Sequence, residues 1–395
     1  MMSKSKVPQI RFKGFSGEWN NENLGKLANF SKGQGYSKND LVEDGKPIIL
    51  YGRLYTKYQA VISKVDTYVK EQQNSILSKG NEVVVPASGE TAEDIARASA
   101  IKTPNLLIGG DLNIIYPNNE IDNSFLALNI SNGRTQKNLS KKAQGKSVVH
   151  LRNNDLKEID LFYPYKDEQI KISNYFQQLD KLIEQKEKKY QKLKQFKKAM
   201  FDKMFPKNGA DTPEIRFKGF SGKWEEKSLE EIVDRYDNLR IPISASNRIA
   251  GDTPYYGANG IQDYVQGFTH DGEFILVAED GANDLKNYPV QYVNGKIWVN
   301  NHAHVLQAKK DISSNKFLKY SISKINIEPF LVGGGRAKLN ANIMMKINIY
   351  VPLELQEQEK IGNYFQKLDK QIDLQQKELE KLKNIKKASL SKMFV

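Results

Sequence analysis

The 395-residue sequence contains no cysteine. Disulfide bonds and thiolate chemistry are therefore excluded, and a structural zinc site is disfavoured. No apolar run approaches the roughly 20 residues that a membrane-spanning helix needs, and Met1–Lys6 lacks the apolar core of a signal peptide. We therefore expect a soluble protein that works in the cytoplasm.

Catalytic signatures are also missing. No Walker-type glycine loop precedes a Gly-Lys-Ser/Thr, no GxGxxG lies between a strand and a helix, and no Asn/Asp-Pro-Pro-aromatic segment of an adenine methyltransferase is present. His302 and His304 could bind a metal with Glu279 or Asp280, but further ligands are lacking, so we favour turn or surface histidines. Glu279 and Asp280 could be the acid groups of a nuclease, but no lysine lies at the expected short spacing. We therefore favour two loop acids, one role being to accept a hydrogen bond from cytosine N4. We predict no catalytic residue and no metal site.

Charge is the strongest compositional signal. The formal net charge is +13 and the isoelectric point is near 9.3, which favours a polyanionic partner. The chain is 39% hydrophobic and 10% aromatic, as in ordinary folded proteins.

A long helical pattern occurs twice, at Asp167–Phe205 and Glu357–Phe394. Asn174-Tyr175-Phe176-Gln177 returns 189 positions later as Asn363-Tyr364-Phe365-Gln366, and Lys203-Met204-Phe205 returns at the same offset as Lys392-Met393-Phe394. Apolar residues follow a heptad seam in both copies. In the first copy they are Ile172, Phe176, Leu179, Ile183, Tyr190, Leu193, Met200 and Met204, and in the second Ile361, Phe365, Leu368, Ile372, Leu379, Leu382 and Met393.

So long a helix with a narrow apolar stripe cannot bury that stripe alone. Two independent surface helices are the alternative, but the shared register favours two helices that pair with each other. Thirty-seven residues make a rod of roughly 55 Å. Polar residues interrupt the seam at Lys186, Lys197, Gln375, Lys386 and Ser389.

A second repeat precedes each helix at a different offset. The aromatic segment Pro8–Trp19 returns 205 positions later as Pro213–Trp224 with two substitutions, whereas the blocks between segment and helix do not align. Two related units in one chain commonly pack about a pseudo-twofold axis, which would make the helices antiparallel. We assign residues 1–165 to a first globular domain, 166–206 to a central helix, 207–353 to a second domain and 354–395 to a C-terminal helix.

Both globular blocks show short strands separated by glycine- and asparagine-rich turns, so the predicted fold class is α+β. In the first block we predict strands at Pro47–Tyr51, Glu82–Pro86 and Leu112–Tyr116, and a helix at Phe125–Ser131. In the second we predict strands at Phe274–Val277, Val290–Val293 and Ile297–Val299, and a helix at Asn315–Ser323.

The polar loops of the two blocks suit DNA recognition. They combine glycine for close backbone approach, cations for phosphates, and side chains able to read base edges. The first block's candidates are Lys32, Gln34, Tyr36, Arg53, Tyr55, Ser88, Glu90, Thr91, Lys146 and Ser147. The second block's are Arg240, Tyr255, Tyr256, Asn259, Asn301, His302, Arg336 and Lys338. A solvated turn is the alternative at each position.

The paired aromatic segments and the twice-used helix resemble the specificity subunit of type I restriction-modification enzymes. The motifs that carry the resemblance are Arg11-Phe12-Lys13-Gly14-Phe15 with Trp19, Gln169–Phe176 and Gln358–Phe365. The resemblance covers essentially the whole chain. It implies two target-recognition domains, each reading one half of a split, asymmetric double-stranded DNA site.

The resemblance also implies partners that carry the chemistry. These are two modification (methyltransferase) subunits that use S-adenosylmethionine to methylate adenine, and restriction (motor and nuclease) subunits that use ATP and Mg²⁺. The chain itself would hold no cofactor. The rod exceeds one DNA turn of about 34 Å, which predicts unread base pairs between the half-sites. Exposed residues on the helix flanks (Tyr175, Leu374, Ile385 and Leu390) are candidates for docking the modification subunits, and further packing within the chain is the alternative.

Two other functions remain open from the residues alone. One is a coiled-coil scaffold with an incidental basic surface, which would show no preference between DNA sequences. The other is a self-sufficient nuclease or methyltransferase with an unfamiliar site, which would act on DNA without partners.

Overall fold

A computed structural model describes residues 6–145, 148–207, 209–334 and 337–395. The chain forms two compact units: one runs up to Glu187 and also contains Glu378–Val395, and the other is Lys188–Lys377. The boundaries between units therefore fall inside the two long helices. Among the described residues, no helix is both long and apolar enough to cross a membrane.

Short strands and helices make up the first unit before the central helix. The strands are β1 (Asn20–Asn23), β2 (Ala28–Lys32), β3 (Leu41–Val42), β4 (Lys46–Ile49), β5 (Val61–Ile62), β6 (Tyr68–Val69), β7 (Val83–Pro86), β8 (Ser88–Gly89), β9 (Ser99–Ile101), β10 (Leu107–Ile108), β11 (Leu112–Pro117), β12 (Val149–His150) and β13 (Asp160–Tyr163). The helices are α1 (Leu24–Leu27), α2 (Arg53–Thr56), α3 (Ala92–Ile95), α4 (Asn123–Ile130), α5 (Gly133–Lys142) and α6 (Asn153–Lys157).

Two sheets form the body of the first unit. One has the strand order β2-β11-β7-β9-β5 and the other β10-β4-β6-β3. Every residue of β7 is buried, which explains why this strand shows a continuous apolar run rather than alternation. The predicted strands at Pro47–Tyr51, Glu82–Pro86 and Leu112–Tyr116 correspond to β4, β7 and β11, and the predicted helix corresponds to α4.

The central helix and the second unit follow. Helix α7 is Lys166–Lys203 and the C-terminal helix, α11, is Leu355–Lys392. The strands between them are β14 (Glu225–Ser228), β15 (Val233–Arg235), β16 (Ala250–Gly257), β17 (Gly260–Val265), β18 (His270–Ala278), β19 (Val290–Val299), β20 (Ala303–Ala308), β21 (Leu331–Val332), β22 (Lys338–Leu339) and β23 (Asn348–Val351). The short helices are α8 (Leu229–Ile232), α9 (Asn315–Ser323) and α10 (Ala341–Met344).

One six-stranded sheet dominates the second unit, with the order β15-β20-β18-β19-β16-β17. The sequence predicted two strands where β19 is continuous, so that prediction was wrong. Gly295 keeps the strand intact because it pairs with Gly272 of β18, and both glycines have positive φ, 94° and 141°. Glycine adopts such angles without steric penalty.

The long helices pair antiparallel within each unit, as predicted. In the first unit, Asp180 and Lys186 of α7 form ion pairs with Lys386 and Glu378 of α11. In the second, Lys197 pairs with Asp369. Three lysines that interrupted the apolar seam therefore place their charges on acids of the facing helix, and their side chains are partly buried there.

Each long helix ends in an aromatic cluster. Phe205, just beyond α7, contacts Phe317 and Phe365 in the core of the second unit. Phe394, just beyond α11, contacts Phe125 and Phe176 in the core of the first. The core of each unit therefore includes the end of one of the helices.

The repeated aromatic segments are anchored in the same way in both units. Arg11 donates to both oxygens of Glu168 at 2.7 and 2.6 Å, and Arg216 donates to both oxygens of Glu357 at 2.6 Å. The tryptophans that end the segments, Trp19 and Trp224, are each 2% exposed. The duplicated sequence therefore encodes a duplicated anchor at the start of each long helix.

Candidate nucleic-acid interface

In the first unit, a glycine lets the loop after β2 lie against a neighbouring loop. A Cβ on Gly33 would lie 1.9 Å from the carbonyl oxygen of Gly109, so no other residue fits without moving the backbone. The amide of Gln34 donates to the carbonyl of Ile108 at 3.2 Å. The flanking Lys32 and Gln34 are exposed, which leaves both side chains available to a partner.

Two other candidates in this unit brace loops. The Tyr36 hydroxyl lies 2.6 Å from Ser75 Oγ and accepts from the amide of Gln72 at 2.7 Å. Arg53 donates to Asp66 at 2.7 Å. Hydrogen bonds from Lys57 and Arg53 lower the pKa of Asp66 to about 2.

Tyr55 and Ser88 are brought together. The Tyr55 hydroxyl donates to the carbonyl oxygen of Ser88 at 2.8 Å, and burial raises the pKa of Tyr55. Thr91 Oγ1 accepts from the amide of Asp94 at 3.1 Å and so caps α3. Glu90, one residue earlier, is exposed.

The candidate loops of the first unit meet at residues 108–112. The amide of Gly33 donates to the carbonyl of Leu112 at 2.9 Å, and the amide of Ala87 donates to that of Asp111 at 2.8 Å. The amide of Leu151 in turn donates to the carbonyl of Ala87 at 3.0 Å. Lys146 and Ser147 lie outside the described residues.

In the second unit, Arg240 has an internal role. Its Nη1 donates to Glu279 Oε2 at 2.6 Å and to the carbonyl oxygen of Ala303 at 2.8 Å. Its side chain is 15% exposed. Arg240 therefore fixes the turn before it, Asp237–Leu239, against the sheet.

Lys338 is paired with an acidic residue, yet much of its side chain is exposed to solvent. Its Nζ lies 2.9 Å from Glu279 Oε1, and its side chain is 47% exposed. Burial alone would raise the pKa of Glu279, but hydrogen bonds from Lys338 and Arg240 outweigh it, and the pKa lies below its usual value. Because both carboxylate oxygens accept internal hydrogen bonds, Glu279 organises the loop rather than presenting a free acceptor to cytosine.

The two histidines of the postulated metal pair have different partners. His302 Nδ1 lies 2.5 Å from Asp280 Oδ1, whereas His304 Nδ1 lies 2.7 Å from Asp237 Oδ2. In the described part of the chain, ligand atoms of Asp237, Glu279 and His304 lie within 4.8 Å of one another. Arg240 and Lys338 already supply positive charge to these acids, so the geometry is that of an ion-pair network.

The β16–β17 turn is tied to the loop after β18. Asn259 Nδ2 donates to the carbonyl oxygen of Gly281, and its Oδ1 accepts from the amide of Asn283, both at 2.9 Å. Together with the contacts of Arg240, His302 and Lys338, this brings four candidate segments to the loop that starts at Glu279.

The remaining candidates for DNA contact in the second unit differ in how exposed their side chains are. Tyr255 is 1% exposed, and its hydroxyl accepts from the amide of Ile243 at 3.0 Å, so it is a packing residue. Tyr256 is half-buried against the sheet core, and Asn301 is exposed. Arg336 lies outside the described residues.

Sequence reasoning missed two residues that shape these loops. Asp237 accepts from His304 and from the amide of Val305. Arg248 lies 4.2 Å from the ring centroid of Tyr255. Neither sits in a recognisable motif, and the partners of Asp237 are more than 60 residues away in sequence, so no local signal could have identified that residue.

The family is defined by comparison with known proteins. The profile described as type I restriction modification DNA specificity domain matches residues 16–195 and 221–384. The chain belongs to this family, as the resemblance of its repeats implied.

Particular relatives agree with this assignment. Over 146 residues the chain is 44% identical to a putative type I restriction enzyme specificity subunit from Haemophilus influenzae, an alignment that spans 37% of this chain and 37% of that relative. The chain is also similar to a solved structure, the crystal structure of the S subunit of a type I restriction-modification system from M. genitalium. The TM-score is 0.70 at 17% sequence identity, and the match covers 98% of this chain and 99% of the S subunit. At this identity the likeness establishes the fold alone, and the predicted α+β class with two domain repeats and long helices is confirmed.

Proposed function

We propose that this chain is the non-catalytic DNA-recognition subunit of a type I restriction-modification complex. Each unit reads one half of a bipartite, asymmetric DNA site. One observation carries this proposal: the same anchor, Arg11 with Glu168 and Arg216 with Glu357, supports two units that share one order of five sheet strands, β2-β11-β7-β9-β5 and β15-β20-β18-β19-β16, but carry loops of unrelated sequence. A duplicated support with different loops suits two readers of different sequence.

The DNA-facing residues in this proposal are the lysines and amide side chains that remain exposed on the clustered loops. The exposed Asn259 is left out because its amide is bonded to Gly281 and Asn283. Lysines bind phosphates, and amide side chains read base edges. In the first unit these are Lys32 and Gln34, and in the second Asn301 and Lys338. Arg53, Tyr55, Arg240 and Tyr255 support them from within.

Partner subunits supply the chemistry in this proposal. Two modification subunits bind S-adenosylmethionine and methylate adenine, and restriction subunits use ATP and Mg²⁺, all in the cytoplasm. Of the flank residues considered for docking, Leu374 is 58% and Ile385 39% exposed. Tyr175 and Leu390 instead pack against the core of the first unit, so Leu374 and Ile385 are the better docking candidates.

The test is to map methylated adenines in a genome that carries this protein and its modification subunits. We expect one asymmetric, two-part motif with an adenine modified on each strand. Exchanging residues 25–160 for the corresponding block of another family member should change one half of that motif. A motif changed in both halves, or in neither, would contradict modular reading, and the wild-type complex is the control.

A further inference from the structure

Gln262, on strand β17, occupies a β-bulge. On the partner strand β16, Tyr255 pairs with Asp263. The next residue of β16, Tyr256, pairs with Ile261, so Gln262 has no counterpart on that strand. An extra residue of this kind redirects its side chain relative to regular strand alternation, and such bulges are frequent beside functional sites.

The backbone of β16 leaves room for the amide of Gln262. A Cβ on Gly257 would lie 2.2 Å from Gln262 Nε2 and 2.7 Å from its Cδ. The amide therefore fills the space that a side chain at position 257 would take. Gln262 is nevertheless an exposed residue, so the fold places its amide and a partner can still contact it.

Hydrogen bonds fix which way this amide faces. Asn300, directly after β19, is 4% exposed, and its Oδ1 accepts from the amide of His302 at 2.8 Å. Because a backbone N–H only donates, Asn300 Nδ2 must point the other way, and there it donates to Gln262 Oε1 at 3.4 Å. Among the residues that the structure describes, Gln262 Nε2 has no acceptor. Nε2 and the second lone pair of Oε1 are therefore available to a partner.

The bulge lies beside loops already assigned to DNA in the proposed function. Asn301, one of the DNA-facing residues, directly follows Asn300. The backbone amide of Asn300 donates to the carbonyl of Tyr256 at 3.0 Å, and the turn of the β16–β17 hairpin is tied to the loop after β18 through Asn259. These bonds hold Gln262 and Asn301 on the same cluster of loops.

An amide presented in this way is complementary to one base. Its Nε2 donates and its Oε1 accepts, and in the major groove only adenine offers an acceptor, N7, beside a donor, N6–H₂. Guanine presents two acceptors, so the glutamine oxygen would face O6 without a donor between them. Cytosine and thymine each offer only one of the two groups that the amide needs.

We propose that Gln262 reads an adenine in the half-site of the second unit, with Nε2 donating to N7 and Oε1 accepting from N6–H₂. Asn300 and Gly257 are the positioning residues that hold its amide. This rests on the proposed function and names one base that the second unit reads. A glutamine that only supported the hairpin would affect stability and would leave base preference unchanged.

The test uses the full chain assembled with its modification subunits. Exchange of residues 25–160 identifies the half-site of the second unit as the part of the motif that does not change. Binding is then measured on the mapped site and on every single base-pair substitution within that half-site. At one A·T pair the wild type should discriminate by about ten- to hundredfold. Gln262→Ala should lose most of that preference and keep the preferences at the other positions.

Two further variants test the hydrogen bonds and the placement separately. Gln262→Glu keeps an acceptor for Asn300 but cannot donate to N7, so preference at the same position should move from adenine to cytosine, whose N4 is a donor. Gly257→Ala should also lose the adenine preference, with little loss of stability, because its Cβ meets the far end of a flexible side chain. Gln266→Ala, at an exposed glutamine just beyond β17, is the control and should keep every wild-type preference.

The two proposals fail differently. If the wild-type complex shows no preference between DNA sequences, the proposed function is wrong. If the wild type is specific and Gln262→Ala keeps every preference, or weakens binding equally on all sequences, only the role of Gln262 is wrong. Thermal unfolding of each full-length variant is measured first. Should Gln262→Ala not fold, Gln262→Glu, which keeps the hydrogen bond from Asn300, decides, and an unchanged preference for adenine in that variant would overturn the proposal.

Discussion

Phe205 stacks on Phe317 with ring centroids 5.8 Å apart and an interplanar angle of 22°. Phe205 follows the central helix, and Phe317 lies on α9 within the core of the second unit. Phe394 makes the equivalent contact with Phe125 in the first unit, also at 5.8 Å. The long helices are therefore structural parts of the two cores.

Truncating these terminal phenylalanines should destabilise one unit each. Phe205→Ala should cost the second unit about 3–5 kcal/mol, and Phe394→Ala should do the same to the first, because each change removes a buried ring. Chemical denaturation measures the loss in free energy of unfolding, and limited proteolysis shows which unit unfolds. Phe196→Ala, at a 47% exposed site on the same helix, should change stability by less than about 0.5 kcal/mol. Equal losses at Phe196 and Phe205 would contradict this packing.

The anchor between Arg216 and Glu357 should tolerate neither partner's removal. Arg216→Ala leaves a fully buried carboxylate unpaired, and about 3–5 kcal/mol should be lost. Arg216→Lys should restore little, because lysine cannot donate two parallel hydrogen bonds. Thermal unfolding of the full chain checks both. The exposed pair Asp373–Lys377 is the control, and Lys377→Ala should cost under about 1 kcal/mol.

Exposed lysines and internally paired arginines should differ in salt dependence. Lys32→Ala should weaken binding similarly on all DNA sequences and reduce the slope of log K against log salt by about 1. Lys338→Ala should reduce the slope by less, because Glu279 already accepts from Lys338 at 2.9 Å. Arg53→Ala should instead act through loop stability, because Asp66 already neutralises that charge. Titrations of the assembled complex at several salt concentrations separate the two cases. An unchanged slope for Lys32→Ala would remove this lysine from the phosphate contacts.

The long helices should set the distance between the half-sites. Each has 38 residues, or about 57 Å at 1.5 Å per residue. Inserting one heptad into both helices keeps the apolar seam in register and should lengthen the preferred gap or abolish binding. Selection from DNA libraries with variable gaps measures the preference. An unchanged gap would show that the helices do not determine spacing.

Acid should weaken the second unit through Asp369. This carboxylate accepts from Tyr320 at 2.7 Å and from Lys319 at 3.2 Å. Burial alone would raise its pKa, but the charges and hydrogen bonds of Lys319 and Lys197 outweigh it, and the pKa is lowered. A lowered folded pKa contributes stability above the unfolded value of about 3.9, and this contribution is lost as pH falls through the folded pKa.

Asp369→Asn should therefore cost about 1–3 kcal/mol at neutral pH, and the difference from wild type should shrink below about pH 4. Denaturation curves at a series of pH values give the comparison. Asp373→Asn, at the exposed pair with Lys377, is the matched control and should cost under about 1 kcal/mol at neutral pH. A constant difference between Asp369→Asn and wild type at all pH values would contradict the ion-pair role.

Patterns repeated along the chain allowed much of the fold to be predicted. The 189-residue repeat and its heptad seam predicted α7, α11 and their antiparallel pairing, because a narrow apolar stripe must be buried against another helix. Continuous apolar runs such as Val83–Pro86 predicted buried strands. Glycine misled at Gly295, where a cross-strand glycine partner allows the strand to continue.

The candidate loops were predicted less completely. Local sequence cannot distinguish an exposed Lys338 from a buried Tyr255, since their environments are built by residues far along the chain. Asp237, Glu279 and His304 meet only because strands β18 and β20 are neighbours and the turn before Arg240 folds over them.

The sequence by itself determined that this protein is a duplicated unit with a paired helix and two different globular blocks. Repeats and apolar periodicity can be read from residues that are close along the chain, and folding does not change that order. Only the tertiary structure decided which polar side chains face solvent and which neutralise one another, because a charge is satisfied by whatever lies within a few ångströms of it in space.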